Sequence, residues 1–329
     1  MKKLLKALLI VVLAVVAAAA GLIAWLSIAE YKPEAVEAVG LSTRKEDSPA
    51  LPAGQRLSVL SWNIGYCGLG DNADFFMDGG TNVKSSDASR VETNLEGAHR
   101  LLYGENAPDL ILLQEVDVDS SRTYHIDQSL RLAGANSAHA LNYSCPFVPY
   151  PLPPIGQVNS GVFTTTDYAV ERAERIALPC PFSWPVSAAN LKRCLLVSYL
   201  PIAGSDKQLT EFIQSEYEKG NYVIAGGDFN QVFPGSLDVY PNTHPELWEP
   251  GILTDDMLPE GWSWAYDLSV PSCRLLNQPY DAADTENTQH YVLDGFILSP
   301  NVTLEQVETL DLGFQYSDHN PVLIQVVLD

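Results

Sequence analysis

The segment Tyr222-Val223-Ile224-Ala225-Gly226-Gly227-Asp228-Phe229-Asn230 reads as a short apolar strand, Tyr222–Ala225, followed by two glycines and then an acid and an amide. The glycines permit a tight exit from the strand, which leaves the polar pair at its end. Other strand-like runs carry comparable groups. Leu57–Asn63 closes on Ser61-Trp62-Asn63, and Leu110–Gln114 runs into Glu115. Tyr291–Leu298 contains Leu293-Asp294-Gly295, and Ser317-Asp318-His319-Asn320-Pro321 precedes Val322–Leu328. A polar residue at a strand end is ordinarily a turn or cap residue. A whole series of amide, carboxylate and imidazole groups says more, because loops at one end of a packed sheet converge and sites are commonly built there.

Working outward, helix-like and strand-like segments alternate, which predicts an α/β domain over 55–329. Ser86–Tyr103 has helical spacing, with Val91, Leu95, Ala98 and Leu102 on one face. Gln208–Lys219 is a second expected helix, and Gly161–Thr166 and Cys194–Leu200 are further strands. Cys145–Pro154, with five prolines, and Phe233–Gln289 show no period and read as irregular. Loops this long in a compact domain usually serve a site.

The series of polar groups suits phosphoester hydrolysis. Mg²⁺ is a hard cation that takes one or two carboxylates, with water and substrate phosphate completing its shell. Mn²⁺ is an acceptable substitute for such oxygen ligands. A second carboxylate can activate water, and an imidazole held by its own Asp can bind a phosphate oxygen as a cation.

The ordered set SWNIG, LLQEV, GGDFN, VLDGF and YSDHNPV resembles the endonuclease/exonuclease/phosphatase superfamily, which includes the deoxyribonuclease I-like phosphoesterases. The resemblance runs from Leu57 to the last residue. It implies a four-layer sandwich of two mixed β-sheets flanked by helices, and it implies roles. Glu115 is then the main metal ligand, with Asn63 supporting the metal or a neighbouring carboxylate and Asp318 contacting the metal directly or through water. Asp228 activates the nucleophilic water and Asn230 holds it with the phosphate. His319 contacts the phosphate, oriented by Asp294. Arg193 sits where the family often has an arginine reaching towards the site. Asn159-Ser160-Gly161 is similar to a strand-entry signature.

The chain departs from that pattern in one place. Many members carry an Asn-x-His-Leu strand before GDFN, and none occurs between Leu200 and Asn221. Either Tyr199 substitutes, as in the abasic-site endonuclease branch that Ser198-Tyr199-Leu200-Pro201 resembles, or a core strand is missing and the site is impaired.

The amino terminus addresses location. Lys2, Lys3 and Lys6 precede an uncharged apolar run from Ala7 to Ala29. Such a run is long enough to span a bilayer as a helix, and longer than the ordinary apolar core of a signal peptide. Ser27-Ile28-Ala29 leaves cleavage and secretion open as the alternative. Positive charge before the span and Glu30, Glu34 and Glu37 after it predict an extracytoplasmic domain. Residues 1–29 are thus an anchor or signal, and 30–54, polar and broken by prolines, are expected to be a stalk.

The chain has 19 basic and 41 acidic residues; without the three leading lysines 16 basic residues face 41 acidic ones, a net −25. That charge disfavours stable nucleic-acid binding, which rests on Lys and Arg. Five cysteines without zinc spacing read mainly as small buried apolar residues. The expected protein is a monomeric, membrane-tethered phosphoesterase. A tethered binding module without turnover and an exported nuclease are the alternatives.

Overall fold

Leu57 and Val59 are buried on one side of their strand, and Leu60 and Trp62 on the other. A strand covered on both faces belongs in the middle of a layered domain, and that is where it lies. The computed structural model describes residues 2–52, 54, 56–84, 87–201, 213–283 and 287–329. Helix α1 (Lys2–Ile28) leads into strands β1 (Val36–Val39), β2 (Leu41–Thr43) and β3 (Arg56–Asn63). Helix α2 (Ala88–Leu102), β4 (Leu110–Asp117), α3 (Gln128–Arg131), β5 (Asn136–Val148), β6 (Gly156–Thr166), β7 (Arg172–Ala177) and β8 (Cys194–Tyr199) follow. The remainder comprises α4 (Ile213–Glu218), β9 (Ile224–Asp228), β10 (Gln231–Val232), β11 (Gly251–Ile252), β12 (Ser263–Ala265), β13 (Cys273–Arg274), β14 (His290–Tyr291), β15 (Asp294–Leu298), β16 (Val302–Thr309) and β17 (Val322–Leu328).

A seven-stranded mixed sheet, ordered β16-β17-β3-β4-β6-β5-β2, forms one layer, with β3 and β4 its parallel pair. Its outer face is covered by α2. Asp87 caps that helix by accepting from Arg90 N at 2.8 Å. Val91, Leu95, Ala98 and Leu102 then pack on Leu60, Trp62, Ile111 and Leu113. Ser86, the expected first residue of this helix, lies outside the described residues. A Cβ on Gly97 would come within 2.3 Å of the Tyr316 ring, so the absent side chain lets the segment before Ser317 lie on the helix.

The inner face packs on a second layer through Leu57, Val59, Val322, Ile324 and Val326 against Ala265, Phe296 and Leu298. This layer is split into β1-β7-β8 and β12-β15-β9. Ser198 of β8 meets Thr164 of β6 at 2.7 Å, while Gly226 of β9 lies over Leu112 of β4. The two small sheets therefore lie side by side over adjacent strands. Among the described residues, β8 is bonded to β7 alone and β9 to β15 alone. The split falls where the sequence lacks the Asn-x-His strand. Residues 208–212 of the helix expected at Gln208–Lys219 lie outside the described residues, and the described part is α4.

Several expectations are corrected. Residues 30–54 are not a free stalk: β1 pairs with β7 and β2 with β5, and Leu51 is buried. Gly226 and Gly227 lie within β9 rather than beyond it. A Cβ on Gly226 would meet the Phe296 ring at 2.4 Å, so it is a packing glycine. Cys145–Val148 ends the long strand β5. Strand β7, central in its small sheet, and the edge strand β16 are not legible in the sequence, because their charged and polar residues mask the alternation. All five cysteines are free, Cys180 alone being exposed. Helix α1 is long and apolar enough over Lys3–Ile28 to cross a membrane.

Candidate active site

Antiparallel pairing of β9 with β15 sets Asp228 directly opposite Asp294, and cross-strand partners bring their side chains together on one face. His319 arrives from the segment before β17. Its Nδ1 lies 2.7 Å from Asp294 Oδ2. One ligating atom from each of Asp228, Asp294 and His319 falls within 4.8 Å of the others. Ser272 positions the pair: its hydroxyl donates to Asp294 Oδ2 at 2.8 Å and accepts from Leu293 N and Asp294 N. Burial works against a charged His319 imidazole, but the Asp294 carboxylate overrides it and holds the imidazole protonated well above the usual histidine range. Burial also pushes Asp294 up, to about 6, against the pull of the same imidazole. At neutral pH the two groups therefore favour an imidazolium held by a carboxylate.

Glu115 enters from the end of β4, where the register with β6 shifts between Leu113 and Val116. Its φ of 56° is uncommon for a residue with a side chain, and it re-aims the carboxylate as bulges do. Asn63 Nδ2 lies 3.3 Å from Glu115 Oε1 and 3.3 Å from Asp228 Oδ2, so this amide bridges the two carboxylates. Asn230, at φ 51°, donates its backbone N–H to Asp228 Oδ1 at 2.8 Å and its amide to Oδ2 at 3.0 Å.

Asp318 closes the cluster. Ser317 Oγ lies 2.8 Å from Asn63 O and 3.2 Å from Asp318 Oδ1. Trp62 Nε1 donates to His319 O at 2.9 Å. Gly65, at φ +49°, leaves room that a Cβ would take, 2.8 Å from Asp318 Oδ1. Burial pushes the Glu115 and Asp318 carboxyls upward. The nearby guanidiniums are engaged elsewhere. Arg122 is paired with both oxygens of Asp117 and lies 3.7 Å over the Tyr66 ring. Arg274 donates to the carbonyls of Gly70, Ala73, Leu275 and Gln278. A buried carboxylate (Asp318) beside a half-buried one (Glu115), neither with a direct ion-pair partner among the described residues, suits a hard divalent cation. Glu115 and Asp318 are the oxygens available to one. Asp294 and His319 also come within ligating reach of Asp228, but their mutual hydrogen bond already occupies them.

Asn63, Glu115, Asp228, Asn230, Asp294, Asp318 and His319 are thus brought together. Arg193 and Tyr199 are not. Arg193 is exposed beside Tyr31 and Pro33, in the segment that follows α1. Tyr199 donates to Glu174 Oε2 at 2.9 Å and stacks under Arg172 at 3.6 Å. Its neighbour Ser198 already meets Thr164, the partner of Leu112, three residues short of Glu115 on β4. Tyr199 lies farther along the same way, so it does not replace the missing histidine. Ser272 escaped sequence reading because it lies in an aperiodic stretch. Arg122 and Asp117, adjoining Glu115, have only their proximity in sequence as a signal.

A sandwich of two β layers covered by helix α2, with acids, amides and one imidazole gathered at its strand ends, defines a class of hydrolase folds. The chain matches the Endonuclease/Exonuclease/phosphatase family over residues 60–319 and belongs to it. Members of that family are metal-dependent phosphoesterases and nucleases. Among solved structures it is similar to a 3'-5' exonuclease (NExo) from Neisseria meningitidis, at 15% identity and TM-score 0.44, over 83% of this chain and 100% of that one. It is also similar to endonuclease/exonuclease/phosphatase proteins from Beutenbergia cavernae (13%, TM-score 0.43, 83% and 72%) and Leptotrichia buccalis (12%, TM-score 0.42, 82% and 98%). No curated protein matches.

Proposed function

We propose that this chain is a divalent-metal-dependent hydrolase of phosphomonoesters or phosphodiesters, tethered by α1 with its domain on the extracytoplasmic side. One observation carries the catalytic part: Asp228 faces Asp294 across β9 and β15 while His319 is held by Asp294, and Asn63 links this group to Glu115. Glu115 and Asp318 would hold Mg²⁺ or Mn²⁺, with Asn63 orienting Glu115 rather than ligating. The bound ion supplies polarisation of the phosphoryl oxygen and stabilises charge on the leaving oxygen.

The chain's own residues do the rest. Asp228 accepts the proton of the attacking water, and the two hydrogen bonds from Asn230 fix the direction of its carboxylate. His319, kept protonated by Asp294, binds a phosphate oxygen and stabilises the charge that builds there. Ser272 keeps Asp294 in place, so the imidazole does not reorient during turnover.

The test uses the full chain with chromogenic mono- and diesters and with DNA, each with Mg²⁺, with Mn²⁺ and with chelator. Turnover that needs metal and disappears in Asp228→Asn supports the proposal. DNA cut as fast as small esters would overturn the view that a net −25 surface repels polyanions. Binding without turnover is the alternative, favoured by the lack of an Asn-x-His segment between Leu200 and Asn221. Metal binding to a folded chain with no hydrolysis across the panel would select it.

A further inference from the structure

Two loops beside α1 each carry several exposed large apolar side chains. Tyr150 (70% exposed) and Leu152 (85%) form the tip between β5 and β6, and Trp184 (65%) and Val186 (56%) stand in the loop between β7 and β8. Both loops lie against the carboxyl end of α1. Leu22 and Leu26 of the helix pack on Cys145, Val148, Val158 and Ala188. Trp184 Nε1 donates to Ser27 Oγ at 2.8 Å, and Lys192 pairs with Glu30 at 2.7 Å just beyond the helix. The helix therefore leaves the domain from between the two loops.

Charge marks the same surface. No Asp, Glu, Lys or Arg occurs in 132–166 or in 178–191, although the chain beyond its leading lysines carries a net −25. Length places it. The apolar helix covers 26 residues, about 39 Å at the α-helical rise, against roughly 30 Å of bilayer hydrocarbon. Counted from Lys3, about 30 Å of helix ends at Leu22, which puts the last turns of α1, where Leu22 and Leu26 meet the domain, in the headgroup layer. Trp and Tyr favour that layer, because their rings are apolar with one polar edge.

We propose that Tyr150, Leu152, Trp184 and Val186 form a lip that docks on the bilayer, so that the domain lies against the membrane surface rather than hanging free of it. The proposal rests on α1 as a membrane span and is independent of catalysis. It fixes the approach to the candidate site as well. Tyr150 contacts Phe76 edge to face at 5.8 Å, and Phe76 begins the short turn that carries Asp78, a carboxyl near enough to Asp318 to feel its charge. Beyond the tip, β6 returns to pair Ser160 with Asp117, two residues past Glu115. The docked lip holds the Glu115 end of the sandwich near the headgroups.

The test reconstitutes the full chain in phosphatidylcholine nanodiscs, in a Cys180→Ser background that removes the exposed thiol. An environment-sensitive dye is attached at Leu152→Cys, at Val12→Cys in the helix, or at Gln306→Cys on β16, the opposite edge of the large sheet. Lipids carrying a doxyl quencher should quench the dye at 152 at least half as strongly as at 12 and several-fold more than at 306. Adding Trp184→Asp should lower the quenching at 152 and leave that at 12 unchanged. A dye at 152 as unquenched as that at 306, with 12 quenched, overturns the docking and leaves the span standing. Absence of quenching at 12 and 152 alike overturns both.

Discussion

His319 and Asp294, 25 residues apart in sequence, meet through a 2.7 Å hydrogen bond inside the domain, and Asp294 in turn faces Asp228 across a strand pair. A buried carboxylate this close fixes both the orientation and the charge of the imidazole. Asp294→Asn should lower kcat by about 100-fold or more with only a small change in KM. Because Asp294 raises the imidazole pKa, the variant should also move the alkaline limb of the pH–rate profile to lower pH. The stability contribution has the same sign. It is fully present below the unfolded histidine value and is lost as pH rises through the raised folded value. Rate profiles of the full chain with Mg²⁺ check the first part, and a kcat within a few-fold of wild type would refute it.

Glu115 and Asp318 are pushed upward by burial, so at neutral pH their ionised forms cost the metal-free fold stability. Glu115→Gln should therefore raise the Tm of the metal-free protein. It should also abolish most of the Mg²⁺-induced stabilisation, which for wild type amounts to about 2.7 kcal/mol at a hundredfold excess over Kd. Differential scanning calorimetry with and without Mg²⁺ reads both effects without reference to activity. An undiminished Mg²⁺ shift in the variant would remove Glu115 as a ligand.

Gly65 combines a positive φ of 49° with a Cβ position 2.8 Å from Asp318 Oδ1 and 3.0 Å from Ser317 Oγ. Gly65→Ala should destabilise by about 1–3 kcal/mol through backbone strain. It should also weaken Mg²⁺ binding by displacing Asp318. Urea denaturation measures the first and titration calorimetry the second.

His139 is half-buried on β5 with Nε2 3.0 Å from Val116 O, and desolvation there holds its pKa below the usual histidine value. A histidine of this kind is neutral in the fold, and its stability contribution is lost as pH falls from about 6.5 towards the lowered folded value. The wild-type urea midpoint should drop between pH 7 and pH 5. His139→Asn should show a smaller drop, and an equal slope in the two proteins would exclude the role.

Some of this was legible residue by residue. Strand ends such as Asn63, Asp228 and His319 stood out because apolar runs that stop at acids, amides or an imidazole are local patterns. The stripe on α2 was equally local, since side chains three and four apart share one helix face. β7 and β16 were not legible, because Arg172, Glu174 and Arg175, or Thr303, Glu305 and Gln306, interrupt the alternation that identifies a strand. Ser272 lacked any signal, since its value lies in reaching Asp294 through a loop.

The amino-acid sequence by itself determined the series of chemical groups, the family resemblance and the apolar leader, all of which depend on residue type and order along the chain. Tertiary structure decided which groups meet. Strand register sets positions along a sheet in steps of about 3.3 Å per residue, and that spacing joins Asp228 to Asp294 while carrying Tyr199 away from Glu115. The pairing of β1 and β2 into the sheets likewise turns an expected stalk into part of the domain, and with it seats the apolar helix α1 against Val148 and Trp184. Hydrogen bonds and contacts between residues distant in sequence make those choices, and no local pattern encodes them.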